Sequence, residues 1–146
     1  MTTTETETNR IEALAEYLGA DKDEIEETGW DDNAFKYGNQ EYLVLTDSEA
    51  DEKTAEYIKD SLWAFNASFI IEHSELPWEA EEMIKGFQES KCEGANDTIE
   101  ALITDIDGFI EDAISADGRG HFMSSYDGEE NEVNHNGETL YIYRTN

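Results

Sequence analysis

Glu52, Glu56 and Asp60 recur every four residues, as do Glu75 and Glu79, a spacing that stacks carboxylates along one face of a helix. Asp97, Glu100, Asp107 and Glu111 trace a further row opposite an isoleucine stripe. Asp21, Asp23, Glu24, Glu26, Glu27, Asp31 and Asp32 form the densest cluster, relieved only by Lys22. Like charges at helical spacing cost about 0.2–0.5 kcal/mol per pair instead of stabilising the helix. One such row is most simply a solvated face. A solubilising surface usually mixes signs, however, and these rows omit the lysines that would relieve them. Glu81 with Lys85 is an ordinary compensating pair. The chemistry on offer is electrostatic attraction of a basic partner.

A second constellation is Asp117, Arg119, His121, Ser124, Tyr126 and Asp127. Arg119 is one of two bases after Lys91, and Gly118 and Gly120 flank it, so the segment could frame a small-ligand or catalytic pocket. The plainer reading is a helix stop at Gly118 followed by a loop in which Arg119 pairs with surplus carboxylates. The glycine pair lacks the third glycine of a dinucleotide fingerprint, and no GxxxxGK[ST] loop occurs. His73, His121 and His135 are scattered, with no HExxH or paired-histidine spacing. Within the twelve residues 21–32, Ile25 and Glu26 stand where a calcium loop needs an oxygen ligand and a glycine. Asp105 and Asp107, on one helix, would point about 200 degrees apart. Cys92 lies between Glu89 and Glu93, whose charge disfavours a thiolate nucleophile. Ser124 and Ser125 lack a GxSxG elbow. No metal, no cofactor and no catalytic residue is expected.

The charge belongs to the whole chain. Its 146 residues include 37 Asp or Glu and 9 Lys or Arg, a formal net charge of −28. Residues 1–91 hold 24 acids and 7 bases, and residues 92–146 hold 13 and 2, so the charge is not confined to a tail. Such a surface repels nucleic acid and anionic membranes. Salt adaptation is the competing cause, and six Lys against three Arg, with twelve Ile against two Val, speak against it. Hydrophobic residues make up 38%, with three Trp, seven Tyr and six Phe, which excludes a wholly disordered acidic tail. Apolar stretches such as 62–65 and 140–143 are far too short to cross a bilayer. Residues 1–9 have no basic or apolar region of a signal peptide, and the single Cys92 suits a reducing compartment. A cytoplasmic protein is expected.

The elements that must hold these side chains follow from hydrophobic period and caps. Residues 1–8 read as a flexible tail and 9–146 as one acidic domain. Helices are expected at 9–18, opened by Asn9 with Glu12, and at 21–28, where Asp21 caps and Glu24 answers it. A hairpin over 34–37 and 40–46 turns at Gly38-Asn39. The next helix runs from Thr46 or Asp47 to Phe65, with 69–71 continuing helical after Asn66. A helix from Ser74, with Pro77 in its first turn, buries Leu76, Ala80, Met83, Ile84 and Phe87. Asn96 opens a single helix to about Ala116. A loop over 118–128 precedes a second hairpin, 130–133 with 138–144. Trp30, Trp63 and Trp78 are expected as core anchors. The class is α+β, with four to five helices packed on a small antiparallel sheet made of two β-hairpins.

B-DNA carries one negative charge per roughly 1.7 Å of axis, so a net charge of −28 matches about 48 Å of duplex. A body of this length is roughly 40 Å across. Helical carboxylate rows, repeating at about 5–6 Å, can therefore present to a basic cleft what phosphates present. The segments EYLVLTD (41–47), SLWAFN (61–66), EDAISADGRGHF (111–122) and SYDGEE (125–130) resemble small acidic bacteriophage-encoded proteins of unassigned function, over about 9–144. That resemblance implies a virus-borne origin, hence a host-cell cytoplasm, and no activity. In general character the chain is similar to DNA-mimic anti-restriction and anti-CRISPR proteins, whose motifs it lacks, so no functional residue is carried over. The expected partner is a basic nucleic-acid-binding protein, inhibited by phosphate mimicry, with neither nucleic acid nor membrane bound directly. A homodimer is a further allowed partner. The rival expectations are a small enzyme or ligand-binding domain at 117–127, and an accessory protein of phage replication or assembly.

Overall fold

Strand β3 (Gln40–Leu45) carries apolar side chains on both faces. Tyr42 and Val44 turn one way, Leu43 and Leu45 the other, and all four are buried. Only a central strand covered on both sides can bury them all. The structure, a computed structural model, describes residues 5–146 and divides into two compact units. The first comprises residues up to 53 together with 119–146, and the second is Thr54–Gly118.

In the first unit β3 pairs with β2 (Ala34–Tyr37) through the expected Gly38-Asn39 turn. On its other side it pairs with β5 (Glu138–Arg144). β1 (Ile25–Glu27) and β4 (Asn131–His135) form the edges, giving a five-stranded antiparallel sheet in the order β1-β2-β3-β5-β4. Helix α1 (Glu5–Leu18) lays Ala13, Leu14 and Ala15 on Phe35, Tyr42, Val44, Leu140 and Ile142. On the opposite face Ala34, Leu43, Leu45 and Tyr143 meet Ala50 and Met123. Ala50 lies on α2 (Asp47–Asp60), and Met123 ends α7 (Arg119–Met123).

Arg10 is the charge at the centre of this unit, 3% exposed. Its Nη1 donates to Val44 O at 2.7 Å and to Glu49 Oε1 at 2.6 Å, and its Nη2 donates to Glu49 Oε2 at 3.0 Å. Glu49 also accepts from the Thr46 amide at 2.9 Å, while its own amide donates to Thr46 Oγ1 at 3.3 Å. This reciprocal cap starts α2 and selects Thr46 between the two expected cap residues. Partial burial acts to raise the Glu49 pKa, and the Arg10 guanidinium with the Thr46 amide outweighs it, leaving the carboxyl below its ordinary range.

The second unit contains α3 (Ala67–Glu72), α4 (Glu81–Lys91), α5 (Asn96–Leu102) and α6 (Ile106–Asp117). Single 3₁₀ turns occur at Leu62–Ala64, Trp78–Ala80 and Cys92–Ala95. Ile58, Leu62, Ile70, Ile84, Ile99 and Phe109 are buried. Phe109 packs against Phe65 and Phe69 with ring centroids 5.1 and 4.8 Å apart.

The α+β class stands, and several boundaries move. α1 begins at Glu5, not Asn9, so the described part of the expected tail is helical, while residues 1–4 lie outside the described residues. Asp21 receives the expected help from Glu24, its amide donating to Glu24 Oε1 at 3.2 Å. The helix stops after one turn, because Ile25 buries itself as the first residue of strand β1. α2 ends at Asp60 and α4 starts only at Glu81. The long helix expected over 96–116 breaks at 103–105. Ile103 is extended and bridges to Ser74, the Thr104 amide donates to His73 O at 2.9 Å, and Asp105 recaps the chain by accepting from the Gly108 amide at 3.0 Å. A Cβ at Gly108 would lie 2.5 Å from Asp105 Oδ2, so a larger residue there would make the capping carboxylate shift. Trp30 and Trp78 are exposed, as is Met83, whereas the sequence places all three in the core. Among the described residues no helix is long and apolar enough to cross a membrane.

The expected loop at 118–128 contains α7, and a Cβ on Gly120 would lie 2.5 Å from Gly128 O and 2.7 Å from the Glu129 carbonyl carbon. Backbone cannot yield as a flexible side chain does. Gly120→Ala is therefore expected to lower the unfolding free energy by about 1–3 kcal/mol, read from the urea midpoint. An unchanged midpoint would refute the close packing of α7 on 128–130.

Candidate functional site

In the second unit the end of α2 and the start of α5 are tied together by one neutral amide. Asn96 Nδ2 donates to Asp60 O at 2.7 Å, and Asn96 Oδ1 accepts from the Trp63 amide at 2.9 Å. Asn96 thus serves the terminus of α2 rather than capping its own helix. Gln88 does similar work from α4, its Nε2 donating to Leu62 O at 3.1 Å and to Phe65 O at 2.8 Å. Beneath these bonds Ile58, Leu62, Ala95 and Ile99 are fully buried.

The consequence is an open hollow of about 470 Å³ lined by Glu56, Lys59, Asp60, Glu93, Gly94, Asn96, Asp97 and Glu100. Five carboxylates face one ammonium. Among the described residues none of these six charged groups belongs to an ion pair. A concave wall of one sign focuses the field and concentrates counterions, so the hollow attracts cations and cationic side chains. Two rows expected separately, Glu56 with Asp60 and Asp97 with Glu100, meet here. Glu93, Lys59 and the bridging role of Asn96 are additions. Glu93 sits in a stretch without helical period, and contacts distant in sequence give no local signal.

The other predicted acids are distributed differently. Glu52 is exposed on α2. Asp107 and Glu111 lie on α6, and the break at 103–105 separates their helix from that of Asp97 and Glu100, so the four do not form one row. Asp21, Asp23, Glu24, Glu26, Glu27 and Asp32 are exposed in the first unit. Asp31 is not an unrelieved charge, since Lys53 Nζ donates to its Oδ2 and the Asn33 amide donates to its Oδ1 at 2.8 Å. Partial burial tends to raise its pKa, and these two donors more than reverse it.

The 117–127 constellation is largely occupied by structural bonds. Arg119 Nε donates to Glu130 Oε1 at 2.8 Å, and Nη1 donates to Asp47 Oδ1 at 2.9 Å and Asp51 Oδ1 at 3.0 Å. Its guanidinium lies 4.7 Å from the Tyr141 ring centroid. Burial works against the charge, and the Glu130 and Asp47 carboxylates outweigh it, holding the pKa far above the ordinary arginine value. The Tyr143 hydroxyl donates to the same Glu130, and burial followed by that carboxylate raises the Tyr143 pKa. Ser124 is buried, its Oγ 2.8 Å from Asp127 Oδ1 and 2.6 Å from Arg144 O. Tyr126 is exposed beneath the Arg144 guanidinium, 3.5 Å from its centroid. His121 and Asp117 are exposed. Arg119, the cation a pocket would need, faces carboxylates of its own chain.

Among the described residues no group of three or more His, Cys, Asp or Glu is placed to hold a metal ion. No protein-family model, no curated protein and no solved structure matches the chain.

In the second unit half-buried His73 packs against the Phe69 and Phe109 rings, its centroid 4.7 and 5.2 Å from theirs. Its Nδ1 lies 2.9 Å from Phe69 O and its Nε2 2.7 Å from Asp112 Oδ2, so both nitrogens face acceptors and only the imidazolium satisfies both. Burial lowers the pKa, but the Phe69 carbonyl and Asp112 outweigh it and the net shift is upward from 6.5. A raised folded-state pKa means that this stabilisation is complete below 6.5 and is lost as pH climbs through the raised value. The urea midpoint is expected to fall as pH rises above 6.5, and His73→Gln to flatten that fall. A variant with the wild-type slope would contradict the assignment.

Proposed function

We infer that the protein binds the basic nucleic-acid-binding surface of another protein, its carboxylates standing in for phosphates. The observation that supports this reading is the hollow of the second unit, where Glu56, Asp60, Glu93, Asp97 and Glu100 converge around Lys59 alone. Carboxylates four apart on a helix rise by about 6 Å, a step that basic side chains reaching for phosphates can span. Association gains from release of the counterions that both surfaces hold, and it weakens steeply with salt. The setting we propose is a phage protein in a host cytoplasm, acting against a defence nuclease or a related DNA- or RNA-binding protein. The rival ligand site at 117–127 gains no support from Arg119, whose donors already meet Glu130, Asp47 and Asp51.

Immobilised protein exposed to bacterial lysate, eluted by a salt gradient and challenged with duplex DNA, tests the reading. A basic nucleic-acid-binding protein is expected to elute with salt and to be displaced by the duplex. The triple reversal Glu56→Lys, Asp97→Lys and Glu100→Lys should weaken its capture by at least about tenfold, while His121→Ala leaves it unchanged. A partner indifferent to duplex, or one held equally well by the reversed variant, would contradict the mimicry.

A further inference from the structure

Helix α4 turns Ile84 and Gln88 into the core, 2% and 7% exposed, and leaves another face bare. Away from the core Trp78 is 57% and Met83 63% exposed, the first from the 3₁₀ turn that leads into the helix. Both break the pattern of a charged, solubilising surface. Exposed apolar patches rimmed by polar residues mark interaction sites. Glu82 and Glu89 are exposed on one row of the helix with the exposed Lys85 between them, and Glu79 is exposed in the turn before it.

Gly86 supplies an independent argument. It stands in the interior of α4, three residues from Met83 and four from Glu82, and is exposed. A Cβ there would meet nothing within 4 Å, and its φ is not in the left-handed region. Among the described residues nothing requires glycine at 86, although glycine weakens a helix interior more than any residue but proline. Its missing side chain leaves room for a partner backbone to come close from outside.

We propose that the Trp78, Met83 and Gly86 face of α4 docks a basic amphipathic helix of the partner, its apolar stripe on Trp78 and Met83 and its cations on Glu79, Glu82 and Glu89. The proposal rests on the reading that the partner is basic and adds the form in which it is recognised. Charge complementarity selects this occupant over a second copy of the chain, which carries the same net charge of −28. The helix crosses closest at Gly86. Aromatic anchors within a charged rim are the usual arrangement of binding hot spots.

Two probes of equal charge separate apolar docking from simple attraction: a synthetic Leu/Lys peptide that forms an amphipathic helix, and an oligolysine without apolar residues. Wild-type protein is expected to bind the Leu/Lys helix at least about tenfold more tightly than oligolysine. Gly86→Leu and the pair Trp78→Ala with Met83→Ala should each abolish that preference and leave oligolysine affinity unchanged. Gly86→Leu should also keep or raise the thermal midpoint, since leucine is the better helix former on an open face. A lowered midpoint, equal affinity for the two peptides in wild type, or a preference that survives Gly86→Leu would each overturn the proposal. Equal affinities with salt-sensitive oligolysine binding would remove the α4 site and leave the basic-partner reading in place. No salt-sensitive binding of either peptide would remove both.

Discussion

Repulsion among carboxylates is the constraint around which both units are built, and they answer it in different ways. The first unit holds 21 acids and 6 bases, and the second 16 acids and 3 bases, with no arginine. In the first, Arg10, Lys53 and Arg119 are set against carboxylates, and Arg10 also against a buried carbonyl. Arg10 serves Glu49 and Val44 O, Lys53 serves Asp31, and Arg119 serves Glu130, Asp47 and Asp51. His135 reaches both Glu12 and Glu16 of α1 from β4. Charge-assisted bonds of this kind fix α1, α2 and α7 around the sheet.

The second unit has little such relief. Lys85 with Glu81, at 3.7 Å on the surface, contributes at most modestly. Its chain turns are held by neutral amides, Asn96 and Gln88, by the Phe65, Phe69 and Phe109 rings, and by His73. Cohesion that depends on few cations lets carboxylates remain unneutralised at its surface. The hollow beside Asn96 is where that freedom is concentrated. A surface built in this way is a standing demand for external cations, and a basic protein meets it with more charge per contact than any monovalent ion.

Much of the architecture was legible in the sequence because it rests on local signals. The Gly38-Asn39 turn, the Asp21 with Glu24 pairing and the alternation around Leu140 and Ile142 each depend on neighbours within a few residues. Where tertiary contacts decide, the pattern misleads. Ile99, Ile103, Ile106 and Ile110 keep one phase across 96–116, yet Asp105 and Gly108 offer a cap that competes with helix continuation, and the Ser74 bridge tips the balance. Trp78 and Met83 carry the apolar chemistry of a core without its burial, which no local pattern announces. The hollow itself joins α2 to α5 through Asn96, 36 residues from Asp60, a distance over which no spacing rule operates. Individual acids were visible; their convergence was not.

The salt dependence of binding tests the central claim most directly. If the carboxylates of the hollow act as phosphate substitutes, the logarithm of the oligolysine association constant falls linearly with the logarithm of salt concentration. Neutralising Glu93→Gln and Asp97→Gln should then reduce the slope by about one for each carboxylate removed. A slope unchanged in the double variant would contradict the account, because the hollow would then hold no counterions that binding releases.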